Sequence, residues 1–417
     1  MKDLKTLSEK TVELMRKGVH IRNPYSVDIG DEVDIDRISG SGVVFYSGTK
    51  IYGESTLIGP GAKLGFESPV TLSDCQLGSD VELKGGFFKE AVFLDRSSMG
   101  YGAHVREGCI LEEEANGGHT VGLKQTILFP FVTIGSLVNF CDCFMAGGTS
   151  RRDHSEVGSS YIHFNYTPNQ DKATASLIGD VPCGVMLNQP PVFLGGQGGL
   201  VGPARIGYGT VIAAGVIFRG DSPEGGKLIH GDRESAFTKR DFFAGYYGNI
   251  DRRIENNILY IANLLALKEW YRHIRKIFFD IRDQGKALHE GSLGKLDMAV
   301  TERLTRFKAL SDKMDTSIKI AREMAEGERV RQLIGRQKKV MENWEKIEEC
   351  LRSEREEDIA VEKRDAFCDI IKKRIDRGEK DYIATIKSLG IEESSIGTAW
   401  LQEIVDQIQR ECAQFLS

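Results

Sequence analysis

The chain has 417 residues, 41% hydrophobic and 28% charged, with a formal net charge of −6. This composition excludes a disordered chain, and the acidic balance offers no net cation to neutralise a phosphate backbone, so no nucleic-acid partner is expected. No apolar run approaches the ~18 residues of a membrane helix, and Met1-Lys2-Asp3-Leu4-Lys5-Thr6-Leu7 has no apolar signal core. The expectation is a cytoplasmic protein without a membrane partner. Its eight cysteines follow no disulfide spacing and are expected as reduced thiols.

Residues 1–19 are expected as an N-terminal helix. Glycine and proline then divide the chain. Ten of 46 glycines lie after residue 232, all ten prolines lie between Pro24 and Pro223, and Trp270, Trp344 and Trp400 lie after the seam. Glycine and proline are disfavoured inside helices, so the first part is turn-rich and the second can be helical. The first part repeats an aliphatic-Gly hexad: Ile29-Gly30, Ile58-Gly59, Leu77-Gly78, Met99-Gly100, Ile134-Gly135, Ile178-Gly179 and Ile206-Gly207. One aliphatic side chain per hexad points inward, and the glycine after it is expected to permit the turn. Three hexads close one triangular coil of a parallel β-helix. Residues 20–225 are assigned to this domain; at about 4.8 Å per coil, roughly nine to eleven coils make a prism some 45 Å long. Three stretches break the rhythm and are expected to loop out: Glu112 to Gly118, Ala146 to Glu156 and Thr167 to Ser176.

Residues 235–417 are assigned to an all-α helical bundle. Apolar stripes recur at helical spacing through Ile254, Ile258, Ile261 and Leu265 to Ile274, through Val300 to Ile318, and through Val330 to Leu351. Further helices are expected over Ile359 to Ile375 and Ile396 to Leu416, the last capped by Ser394 or Ser395. The charged run Arg352 to Arg364 reads as a solvated helix face.

Leu14-Met15-Arg16-Lys17-Gly18-Val19-His20-Ile21-Arg22-Asn23-Pro24 and the hexads that follow, to about residue 220, resemble the acetyltransferase half of the bifunctional UDP-N-acetylglucosamine pyrophosphorylase/glucosamine-1-phosphate acetyltransferase family. The resemblance implies a left-handed β-helix that assembles as a homotrimer and uses acetyl-CoA. The family's pyrophosphorylase domain has no counterpart in the sequence, so that activity is not expected. Met99-Gly100-Tyr101-Gly102-Ala103-His104-Val105-Arg106 is similar to the family segment that grips the sugar phosphate, which puts Arg106 on the phosphate-binding position. Without gaps from Val121-Gly122, the family's sugar-binding Lys falls at Leu128, its catalytic His at Phe140 and its nearby Tyr at Cys143. Phenylalanine cannot take the proton of an attacking amine, so the family's mechanism cannot run from residue 140. Asn165-Tyr166 matches the family's pair at the junction of sugar and acetyl-CoA, and Lys172 lies near a family Lys. Leu200-Val201-Gly202-Pro203 and Thr210-Val211-Ile212-Ala213 resemble the acetyl-CoA coils, where Gly202 would present its amide to the thioester.

Replacement chemistry is sought in the loop Gly147-Gly148-Thr149-Ser150-Arg151-Arg152-Asp153-His154-Ser155-Glu156. His154 stands between two acids and is a candidate base. Arg151 and Arg152 are candidate phosphate contacts. His163, two residues before Asn165, would point to the same face of a strand. Cys141, Cys143, His154 and His163 lie close in sequence but match no zinc spacing, so no metal is expected. Two readings follow. One is a divergent acyl-CoA-dependent transferase acting on a sugar phosphate, nucleotide sugar or similar anionic acceptor. The other is a non-catalytic trimeric ligand-binding or scaffold protein that has lost the base.

Overall fold

The computed structural model describes residues 7–231, 239, 241–324, 327–352 and 359–416. Residues 1–6, the start of the second part at 235, and the middle of the charged run, 353–358, lie outside them. Helix α1 (Glu9–Lys17) is capped by Ser8 and lies on one end of the prism, where Lys10 donates to the carbonyls of Gly30, Asp31 and Val33. From His20 to Ile229 the chain winds as a parallel β-helix of about 11 turns. Its three faces are sheets of eleven, ten and eight short strands among the described residues. Face A runs from His20–Ile21 to Leu228–Ile229, face B from Asp28–Ile29 to Ile217–Phe218, and face C from Leu57–Ile58 to Arg205–Ile206.

Most of the hexad glycines do not make the turns; Gly179, with φ +78°, is the exception. Gly59, Gly78, Gly100, Gly135, Gly158 and Gly207 have no positive φ; a Cβ on any of them would lie 2.4–2.7 Å from an atom of the next coil. They are glycine because adjacent coils touch there. The left-handed residue of each turn comes two places later, at Gly61, Asp80, Gly102 and Gly209. Two of the three expected insertions leave the coil: residues 146–156, built around the hairpin Gly148–Ser150/Asp153–His154, and residues 167–176. Glu112 to Gly118 does not. Asn116–Gly117 pairs with Ser98–Met99 and with Thr133–Ile134, so this stretch is an ordinary corner in register. A further excursion after Gly179 carries the short helix α2 (Val181–Gly184).

The helical part has α3 (Asp251–Trp270), which continues through a π turn (Tyr271–Arg275) into α4 (Lys276–Asp280), then α5 (Gly285–Asp312) and α6 (Met314–Met324). Next come α7 (Glu328–Glu342), α8 (Trp344–Arg352), α9 (Val361–Asp376), α10 (Tyr382–Lys387) and α11 (Ile391–Leu416). The last helix starts before the expected serine caps. Glu393 accepts the Gly390 N–H, and Ser394 and Ser395 bond back to the carbonyls of Ile391 and Glu392.

These helices cover face C. Helix α5 packs on its strands at Gln76–Leu77, Ala91–Phe93 and Cys109–Leu111, and α3 packs on Ser176–Ile178. The outward row of that face, Leu57, Gln76, Val92, Ile110, Ile127, Phe144 and Leu177, is buried along with the inward row. Acidic residues at the two edges of the face are met by the helices. Arg282 pairs with Asp95 at 2.6 Å, Arg275 with Glu113 at 2.5 Å, Arg303 with Asp142 at 2.5 Å, Arg253 with Asp171 at 3.2 Å and Arg252 with Asp221 at 3.3 Å. The π turn supplies two of these anchors at once: Tyr271 donates to Glu112 at 2.5 Å while Arg275 holds Glu113 and lies over the Tyr382 ring at 3.8 Å.

Burial pushes the Glu112 carboxyl up to about 7, against the downward pull of Arg275. The folded state therefore prefers the neutral acid. The associated stability is complete below about pH 4.5, where the unfolded chain titrates, and is lost as pH rises to about 7. Thermal unfolding of Glu112→Gln against the native chain is expected to show the variant gaining relative stability between pH 5 and pH 8. A difference independent of pH contradicts the assignment.

Candidate functional site at one corner of the prism

The corner from face B to face C gathers most of the sequence-derived residues. It carries Arg106 after strand Ala103–Val105, Asn165 and Tyr166 after Ile162–Phe164, Lys172 in the loop that follows, and Gly202 after Gly199–Val201. It also carries Lys124, which the ungapped register missed. Val105 pairs with Leu123, so Lys124 stands one rung above Arg106 and 18 positions further along the chain. Leu128, to which that register assigned the family Lys, is instead fully buried in the inward row of face C. The signal available in the sequence was the coil period itself, which separates Met99 from Gly117 and Gly117 from Ile134 by one turn each.

Other predicted residues lie elsewhere. His154, Arg151 and Arg152 are on the hairpin at the corner from C to A, and Ala213 is at the corner from A to B, its N–H donated to the Ile229 carbonyl at 2.8 Å. One chain does not bring these groups to Arg106. Arg151 serves the fold: its guanidinium donates to the carbonyls of Phe131 at 2.7 Å and Glu114 at 3.2 Å. Arg152 is exposed. His154 is 20% exposed, with Nδ1 3.0 Å from the Arg151 carbonyl and Nε2 3.6 Å from Glu156.

At the B-to-C corner the polar groups are already committed. His163 does not share a face with Asn165, because the strand ends at Phe164 and the alternation with it. Its side chain takes the inward row of face B, paired with Leu200 on one side and with the Phe140 ring 6.2 Å away on the other. It is 2% exposed. Its Nδ1 donates to the Cys141 carbonyl at 2.7 Å, and its Nε2 accepts from Ser176 Oγ at 2.7 Å. Burial lowers its pKa to about 4, so the ring stays neutral with both nitrogens used. The Asn165 amide donates to Asp142, which also holds Arg303 from α5. The Gly202 N–H donates to the Phe164 carbonyl at 3.2 Å, and a Cβ at Gly202 would lie 1.9 Å from the Thr174 carbonyl oxygen. Tyr166 stays 57% exposed and Lys172 is half-buried. Phe140 and Cys143, the other two altered family positions, are fully buried.

Two cations stand on successive rungs of this corner. Arg106 is exposed, and Lys124 pairs with Glu107 at 2.5 Å. Beside them a cleft of about 370 Å³ is lined by Glu107, Lys124 and Gln125 from the prism and by Asp297, Thr301, Glu302 and Arg306 from α5. Among the described residues no group of three or more His, Cys, Asp or Glu side chains could hold a metal ion, and Cys141 and Cys143 lie on either side of the Asp142 turn. Also among them, no helix is long and apolar enough to cross a membrane.

Removing Arg303 would leave Asp142 buried and unpaired. Arg303→Met is expected to cost about 3–5 kcal/mol in denaturant unfolding, and adding Asp142→Asn, which keeps the left-handed turn, is expected to restore part of it. A cost under about 1 kcal/mol would show that the pair is not shielded from water.

No family model matches the chain. Among curated proteins it is 29% identical over 215 residues to the bifunctional protein GlmU of Thermotoga maritima, a match covering 51% of this chain and 42% of that protein. It is 28% identical over 233 residues to GlmU of Carboxydothermus hydrogenoformans, covering 56% and 46%, and 29% identical over 208 residues to GlmU of Clavibacter sepedonicus, covering 50% and 37%. The chain thus spans less than half the length of these relatives. The matched part is their C-terminal half, which agrees with the parallel β-helix seen here.

Proposed function

We propose that this chain is an acetyltransferase-like β-helix protein that binds an anionic ligand, of sugar-phosphate or nucleotide-sugar type, without acetyl transfer at the family's corner. One observation carries the reading. His163, Asn165 and the Gly202 amide, the groups that acyl transfer there would need, are all held in internal hydrogen bonds beneath Arg303. Arg106 and Lys124 stand on successive rungs of this corner, and the exposed Arg106 guanidinium suits a phosphate. Assembly as a homotrimer fits the resemblance. Face C is taken by the chain's own helices, so subunits would meet through faces A and B, whose last coils expose Phe193, Val211, Leu228, Ile162 and Ile217. The setting of this reading is the cytoplasm.

A second reading rests on a different observation. His154 beside Glu156 on a protruding hairpin is a base that could serve an acyl-CoA-dependent transferase, with acetyl-CoA as co-substrate. It requires a neighbouring subunit, since His154 and Arg106 stand on different corners of one chain.

Titration calorimetry with glucosamine 1-phosphate, UDP-N-acetylglucosamine and acetyl-CoA, with mass by light scattering, separates the two. The proposal expects binding of an anionic sugar that weakens at least about tenfold in Arg106→Ala and in Lys124→Ala. It also expects no acetylated product. Acetyl transfer abolished by His154→Ala would replace it with the second reading.

A further inference from the structure

The helical part contains a thiol pair that neither functional reading uses. Cys350 on α8 and Cys412 on α11 place their sulfurs 3.3 Å apart, 62 residues apart in the chain. All eight cysteines are thiols, but their settings differ. Cys75, Cys109 and Cys143 are fully buried along the prism, and burial pushes each of these thiols up, Cys75 to about 12. Such thiols are inert toward oxidants. Cys350 instead retains 8% exposure, and its sulfur lies 3.6 Å from the Glu411 carboxylate.

We propose that Cys350 and Cys412 form a reversible disulfide site, closed by a peroxide-class oxidant, that clips α8 to α11. Cys350, 8% exposed where Cys412 is fully buried, reacts first. Its sulfur attacks one oxygen of hydrogen peroxide, the O–O bond breaks, and Cys350 sulfenic acid and one water result. The Cys412 sulfur then attacks the Cys350 sulfur, the S–O bond breaks, and a second water leaves with the Cys412 proton. In sum, two thiols and one peroxide give one disulfide and two waters, with two electrons passing from sulfur to oxygen. A dithiol reductant reverses the bond by exchange.

The position gives the clip a consequence. Helix α11 packs on α3 and on α2 of the prism excursion, and α8 packs on α5. Both α3 and α5 lie on face C. A bond between α8 and α11 therefore ties together the two supports of the layer that covers this face.

The test uses the full chain, reduced without oxygen, treated with stoichiometric hydrogen peroxide and then alkylated. Before alkylation the intact mass is expected to fall by two hydrogens, and peptide mapping after it to find Cys350 joined to Cys412. The midpoint of thermal unfolding is expected to rise by about 5 °C and to return with dithiothreitol. Cys350→Ser and Cys412→Ala, each checked for helical content by circular dichroism, are expected to lose the cross-link and the shift. Sulfinic acid on Cys350 without a cross-link, a cross-link between other cysteines, or two intact thiols after treatment would each overturn the proposal. A cross-link without a change in midpoint would overturn the bracing role.

Discussion

The structure depends on one constraint: face C of the prism is apolar on both sides. A β-helix face needs only its inward row to be apolar, because the outward row meets water. Here the outward row through Val92, Ile110, Ile127, Phe144 and Leu177 is as apolar as the inward one and as buried. At about 25 cal/mol per Å² of apolar surface, leaving such a face wet would cost more than most domains have as net stability. Helices α3 and α5 lie where they do because this surface must be covered. The arginine–acid pairs along both edges add little net energy over well-packed apolar residues. They do fix the register of the helices on the prism, since a shifted register leaves a buried charge alone.

The same cover explains the altered chemistry at the corner from B to C. In the family that the sequence resembles, this corner holds a reacting amine and a thioester. Here Arg303 comes down on Asp142, and Asp142 also takes the Asn165 amide. With the corner closed, position 140 is free to be a core phenylalanine, and position 163 becomes an interior histidine held neutral by burial. These features belong to one packing arrangement around Asp142. Lys124 lines the cleft lower on the column, and Arg106 stands one rung below it.

Much of this was legible in the residues. Seven aliphatic-Gly hexads were enough for the prism, and the period of apolar residues was enough for the helices. The docking of one on the other was also written there. Ala91-Val92-Phe93, Cys109-Ile110-Leu111 and Cys143-Phe144-Met145 are unbroken apolar triplets, the pattern of a strand covered on both faces, whereas Lys63-Leu64 and Glu82-Leu83 of face A alternate. The role of the hexad glycines was misread because contact between coils leaves no local trace in φ. Lys124 was missed because an ungapped comparison cannot follow coils of unequal length. Glu112 and Glu113 looked like an insertion, since two adjacent acids at a corner make sense only once Tyr271 and Arg275 are known to cover them.

Hydrogen exchange on the intact chain tests most directly whether the helices seal face C and its corner. The account predicts that amides of Cys143–Met145, Ser176–Ile178 and Gly202 exchange only with global unfolding, as slowly as those of α3. Exchange at these amides on the timescale of exposed loops, with α3 still protected, would contradict it, because the corner would then be open to water and to a ligand.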